Sequence, residues 1–165
     1  NLGDSYLGLR LLKNKASIKK KDKLFFVDKY YKPELPLNLT KYLLKFANSS
    51  IDVSDGLIDD LAKMINRQSL SFHLFENKIP VSNKLSNLIK KQRLNKINLI
   101  SNGDDYQVLF TADIKKARII QNASKATGIK ITKIGKIVSG KDRSLIFDEK
   151  GKQIRAKSKG YIHRF

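Results

Sequence analysis

Ile51-Asp52-Val53-Ser54-Asp55-Gly56-Leu57 is the stretch on which the reading of this chain turns. Ile51 to Val53 reads as a short strand. Ser54 is placed to cap the helix that follows, whose apolar face is Leu57, Leu61, Met64 and Ile65. Their spacing of four, three and one is that of an amphipathic helix. A strand therefore runs into a helix through a turn that carries two aspartates and a glycine. Residues two apart on a strand share a face, and the turn lets a third residue join them, so Asp52, Ser54 and Asp55 converge at the strand's exit. Gly56 keeps the backbone uncrowded there. Carboxylates at such a turn suit a hard divalent cation, and a helix start favours phosphate. With a cation between the two, the same place suits a magnesium nucleotide. The plain alternative is that Ser54 caps the helix and Asp55, Asp59 and Asp60 complement its dipole; Asp59 and Asp60 are assigned to that role.

Working outward, a second acidic turn stands at Asn102-Gly103-Asp104-Asp105-Tyr106, ahead of an apolar strand expected over Tyr106 to Thr111. It reads either as a tight turn with exposed acids or as a place where Asp104 accepts a ligand N–H or binds a cation. Tyr106 is expected to pack rather than react. The chain closes on Gly160-Tyr161-Ile162-His163-Arg164-Phe165, whose aromatic rings suit stacking on a flat heterocycle or packing onto the domain.

The rest of the pattern alternates helices and strands. A helix is expected from Gly3 to about Lys13 with Asp4 as its cap, and another from Asn38 through Leu39, Tyr42, Leu43 and Phe46, ending in Asn48-Ser49-Ser50. Phe25-Phe26-Val27 is too short to assign, and Pro33 and Pro36 mark a loop. Ser69 to Phe75 alternates as a half-buried strand, with His73 on its outer side. A helix follows Pro80 through Leu85, Leu88 and Ile89, and one from about Asp113 to Thr127 stops at Gly128. Ile129 to Val138 alternates with a break at Gly135, and Ser144 to Phe147 opens a hairpin. Interleaved helices and hairpins together give an α+β fold, a mixed, largely antiparallel sheet with helices packed on one face.

Composition excludes several chemistries. The 165 residues suffice for one domain with a real core. Cysteine is absent, so disulfides, thiolate catalysis and thiolate zinc sites are excluded. His73 and His163 alone do not build a histidine-rich zinc centre. No apolar run approaches the roughly 18 residues of a membrane span, which makes a cytoplasmic setting the expectation. The formal charge of +19 points first to polyanions. Only seven of the 34 basic residues are arginine, however, and lysine lacks the bidentate fork that reads phosphates and guanines. A basic nucleic-acid-binding module stays as the alternative; specific nucleic-acid binding is not expected. Asn1 leads almost at once into a helix, so the chain reads as cut from something longer.

Taken together, the motifs resemble the C-terminal domain of the thiamine-monophosphate kinases. Gly3-Asp4-Ser5 with Gly8-Leu9 resembles that family's opening helix motif, and Ile51 to Leu57 its Asp-x-Ser-Asp-Gly-Leu motif. Gly103-Asp104-Asp105-Tyr106 with Leu109-Phe110 resembles its Gly-Gly-Glu-Asp-Tyr-Glu-Leu-Leu-Phe motif. Thr132 to Ile137 resembles a late Ile-Gly strand, and Gly160-Tyr161 with His163 and Phe165 the terminal motif. Asn102 and Gln107 depart from the pattern, Asp104 is one methylene shorter than the usual Glu, and Arg164 separates His163 from Phe165.

The resemblance implies an ATP-dependent kinase that phosphorylates thiamine monophosphate to thiamine diphosphate with Mg2+. It implies the two-domain fold shared with aminoimidazole ribonucleotide synthetase, of which residues 1–165 would be the C-terminal half, a single domain. The N-terminal ATP-binding half would be missing, the full-length protein a homodimer, and the isolated fragment inactive. Carried over by motif position, Asp52 and Asp55 would be magnesium ligands and Ser54 an ATP contact. Asp104 and Tyr161 would contact thiamine monophosphate. No residue here is assigned as a catalytic nucleophile. Another ATP-using enzyme of the same superfamily is the nearer alternative.

Overall fold

A computed structural model of the chain describes residues 1–66 and 68–156. Helix α1 (Asp4–Leu12) opens the chain and packs on α2 (Lys20–Tyr31) and α5 (Asn83–Gln92), where Leu7, Leu11, Phe26, Leu85 and Leu88 share one apolar cluster. The α2 segment holds the unassigned Phe25-Phe26-Val27. Four basic residues among its twelve mask the period, and Phe26 is its buried residue. Helix α3 (Leu37–Leu43) follows the two prolines; Asn38 lies inside it and Pro36 stands at its cap position, without a side-chain cap.

Strand β1 (Ala47–Asp52) takes in Asn48-Ser49-Ser50, which the sequence reading made a helix end. The serine–threonine contact across the ribbon explains this. β1 pairs antiparallel with β3 (Val108–Ala112), and the Ser49 hydroxyl lies 2.7 Å from that of Thr111, while Asn48 and Ser50 fall on the exposed face of the strand. Between these strands come α4 (Leu57–Met64), β2 (Leu70–Phe75), α5 and the short α6 (Lys96–Ile100). Ser82 caps α5 through the Leu85 N–H at 3.1 Å, and Asn95 caps α6 through the Asn98 N–H at 3.0 Å.

After β3 comes α7 (Ala117–Thr127), stopped at Gly128 in the left-handed conformation as expected. Strands β4 (Gly135–Ser139), β5 (Leu145–Phe147) and β6 (Gln153–Ile154) complete the described chain. β4 starts at Gly135, later than the alternation from Ile129 predicts. The strands form two sheets rather than one. β1–β3 is a two-stranded ribbon, and the other sheet has the order β4-β2-β5-β6. In it β2 runs antiparallel to β4 and parallel to β5, and β5 antiparallel to β6, so the α+β, mixed and largely antiparallel class holds.

Helix α4 is the bridge that fixes the site. Its face of Leu57, Ile58 and Leu61 joins Val53, Ile65, Phe72, Leu74, Ile100 and Leu109 in the main core. Each such side chain contributes roughly 1.5–3 kcal/mol by leaving water. Because Val53 and Ile100 belong to the same cluster, burying α4 also fixes both segments that carry the acidic turns.

Candidate functional site

The two acidic turns lie against each other. Beyond β1, Val53 N–H donates to Gln107 O and Tyr106 N–H to Val53 O, both at 2.8 Å, and Asp104 N–H donates to Ser54 O at 2.8 Å. Two glycines permit this approach. A Cβ on Gly103 would sit 1.6 Å from Ser54 O, and one on Gly56 would sit 2.2 Å from Ser101 O. Gly56 also takes φ 133°, which side-chain-bearing residues rarely adopt.

Ser54 does not cap α4. Gly56 occupies that position, without a side-chain cap of its own. The three N–H groups of Ser54, Asp55 and Gly56 instead all donate to Asp60 Oδ2, at 3.0, 2.9 and 3.0 Å. Asp60, 1% exposed, thus ties down the turn from inside the helix it belongs to. Lys63 gathers the neighbouring acids. Its Nζ pairs with Asp55, with Asp59 Oδ2 at 2.7 Å and with Asp60 Oδ1 at 3.4 Å. The bonds to Asp55 and then to Asp59 hold the Lys63 ammonium well above its ordinary range.

Asp104 faces the same place. Burial, and then the Asp55 charge, push its carboxyl above the usual carboxylate range, while Lys13 works the other way. Tyr106 is not packed as expected: it precedes β3, is 39% exposed, and takes φ 49°. Its phenol is raised by burial and then by Asp104, Asp52, Tyr30 and Asp55, so it feels the acids of both turns. Asp52 is the exposed last residue of β1, opposite Val108. Ser54 is half-buried. Tyr161 lies outside the described residues.

The acids at this turn supply the kind of oxygen donor a hard divalent cation takes, at a place the Lys63 ammonium shares. Asp55, Asp59 and Asp60 each offer a carboxylate oxygen, all within 4.8 Å of one another, and oxygen donors are what magnesium takes. Asp60 is committed to three backbone N–H groups. After burial, the like charge of Asp55 raises Asp104, and a bound cation would relieve that repulsion.

Behind the loop lies a buried acid that sequence reading did not single out. Asp105 Oδ2 accepts the Gly3 N–H at 2.6 Å and Oδ1 the Ser5 N–H at 3.4 Å. Burial pushes its carboxyl up to about 7 against the lowering effect of those two bonds. Asp4, expected to cap α1, accepts instead from Ser82 Oγ at 2.7 Å, and burial raises it too. No local sequence signal marks Asp105 as the cap, since its partners are 102 and 100 residues away. Asp60 and Lys63 were visible as acidic and basic residues three apart on a helix, a spacing that brings side chains together.

No family model matches the chain. Among curated proteins, the thiamine-monophosphate kinase of Buchnera aphidicola subsp. Schizaphis graminum is 33% identical over 165 residues, covering 99% of this chain and 50% of the relative. Among solved structures, thiamine monophosphate kinase from Aquifex aeolicus is 27% identical with a TM-score of 0.68, covering 93% of this chain and 48% of that one. AaThiL complexed with AMPPCP and TMP matches at 27% identity and a TM-score of 0.72, over 98% of this chain and 49% of that one. The chain spans about half the length, or less, of the curated relatives it matches. Along its whole length and in its fold the chain is similar to the thiamine-monophosphate kinases, matching the C-terminal half of those proteins.

Proposed function

We propose that this chain is the C-terminal domain, residues 1–165, of an ATP-dependent kinase that converts thiamine monophosphate to thiamine diphosphate. The observation that carries the reading is the meeting of the Ser54–Gly56 and Gly103–Tyr106 turns. It sets Asp104 close to Asp55, with Asp52 at the end of the strand that enters the turn, in a chain similar to thiamine-monophosphate kinases over its full length. A nucleotide-binding half, contributed by the rest of a longer protein, completes the ATP site, and the full-length enzyme is a cytoplasmic homodimer.

Asp52 and Asp55 would hold Mg2+. When bound, the ion neutralises charge on the phosphates that must approach each other. Ser54, beside them, contacts ATP, and Asp104, with Tyr161 of the tail, contacts the thiamine monophosphate. No side-chain nucleophile is required, because the acceptor is itself a phosphate oxygen. These residues act by holding two anions in line and by excluding other arrangements. Lys63 pairs with both Asp55 and Asp59 and so holds the two acids side by side; a cation bound at Asp55 would take over part of that role.

The test is turnover of thiamine monophosphate by the complete gene product with ATP and Mg2+, followed as thiamine diphosphate formed. Activity is expected in the complete protein and absent from residues 1–165 alone; turnover by the isolated chain sinks the two-half reading. Asp52→Asn and Asp55→Asn should each lower Mg2+-dependent turnover on the order of 100-fold or more with the fold intact. Unchanged activity in both variants removes them from the metal site.

A further inference from the structure

The loop after α6 carries three consecutive residues with unlike fates. Asp104 and Tyr106 have φ 66° and 49°, in the left-handed region that costs free energy for any residue with a Cβ. Asp105 between them is 4% exposed, whereas Tyr106 is 39% exposed. Such backbone persists only where its surroundings over-determine it. Two sets of bonds do so here. On one side, Asp104 N–H and Tyr106 N–H are held by Ser54 O and Val53 O. On the other, the Asp105 carboxylate accepts the Gly3 and Ser5 N–H groups at the start of α1.

The start of α1 is itself fastened. Gly3 is buried, Leu2 N–H donates to Pro80 O at 3.0 Å, and Asp4 accepts from the Ser82 hydroxyl that caps α5. Asp105 therefore ties to α1 a strained loop whose other side is bonded to the Val53–Ser54 segment. We propose that Asp105 is a positioning residue: by fastening the loop to α1 it holds Asp104 and Tyr106 in the conformation that seats both against the Val53–Ser54 segment, beside Asp55. The inference deepens the kinase reading and rests on it for the role of Asp104.

Two measurements on the complete gene product decide it. The first is a double-mutant cycle in kcat/KM for thiamine monophosphate. Asp105→Asn, nearly isosteric, should lower kcat/KM on the order of 10- to 100-fold, the loss expected when a contact is misplaced. In an Asp104→Ala background the same change should cost less than about twofold, because Asp105 acts through Asp104. An equal loss in both backgrounds, or no loss in the first, overturns the proposal.

The second is amide hydrogen exchange. Asp105→Asn should speed exchange at Asp104 and Tyr106 at least about tenfold while leaving β2 and β4 amides unchanged. Uniformly faster exchange means a merely structural residue and overturns the proposal. Asp105→Glu, which keeps the charge and shifts the carboxylate by one methylene, gives the same readout should the Asn variant not fold. If the unmodified protein does not phosphorylate thiamine monophosphate, the kinase reading fails by itself, and exchange still decides whether Asp105 holds the loop.

Discussion

Helices α1 and α4 start alike and are completed in opposite ways. Each begins after a glycine with positive φ, each has an aspartate or serine placed by sequence to cap it, and neither uses that residue. At α4 the carboxylate comes from inside, where Asp60 bends back to take three N–H groups of its own turn. At α1 it comes from Asp105, a hundred residues along the chain. The first closure needs only a turn of helix; the second exists only once the rest of the domain has formed. A helix start short of local acceptors is thus a place where tertiary structure can bind.

The largest expected effect breaks the local closure. Asp60→Ala leaves three turn N–H groups without their acceptor and should cost roughly 3–5 kcal/mol in urea unfolding, the cost of removing one partner from a buried charged network. A loss under 1 kcal/mol would mean the turn finds other acceptors.

Next is the contact that lets the two turns meet. Gly103→Ala puts a Cβ into Ser54 O, a backbone atom that can yield only by moving the turn. A loss of about 1–3 kcal/mol is expected from such overpacking, together with chemical-shift changes at Ser54 and Asp55. A neutral substitution would show the turns to be less closely joined.

The distant closure is sharpened by pH. Burial raises the folded-state value of Asp105 to about 7, above its value in the unfolded chain. Its contribution is then fully present below about 3.8 and is lost as pH rises through about 7. The stability of Asp105→Asn relative to the parent should therefore climb between pH 4 and pH 7, measured by denaturation at each pH. A flat difference would mean the acid is not buried as charged.

The smallest effect falls on the exposed side of α4. Lys63→Met removes pairs made by a side chain that is 46% exposed, so no more than about 1 kcal/mol is expected, fading in high salt. A larger loss would make Lys63 part of the closure that Asp60 is credited with.

What was legible in the sequence was whatever is encoded within a few residues. The spacing of Leu57, Leu61, Met64 and Ile65 defined α4, the alternation of Leu70, Phe72 and Leu74 defined β2, and Gly128 marked the end of α7. Asp55 and Asp104 were legible as acids beside glycines, and the structure brings them together. Helix α2 was not, because its charged residues hide the period while packing on α1 decides its state. Asn48-Ser49-Ser50 looked like a helix end until a partner strand supplied Thr111. Asp105 and Tyr106 exchanged the roles that local reasoning gives them: the acid went inside and the aromatic came out. Only pairing across half the chain sets that.

The parallel contact of β2 with β5 has a consequence for synthesis. His73 lies beside Leu145, and the antiparallel neighbour on the other flank, β4, begins only at Gly135. As the polypeptide leaves the ribosome, β2 therefore waits, with both of its edges unpaired, until more than sixty further residues have been added. During that interval Phe72 and Leu74 form a sticky, unfinished strand, and nascent chains halted before β4 should be the ones that chaperones hold.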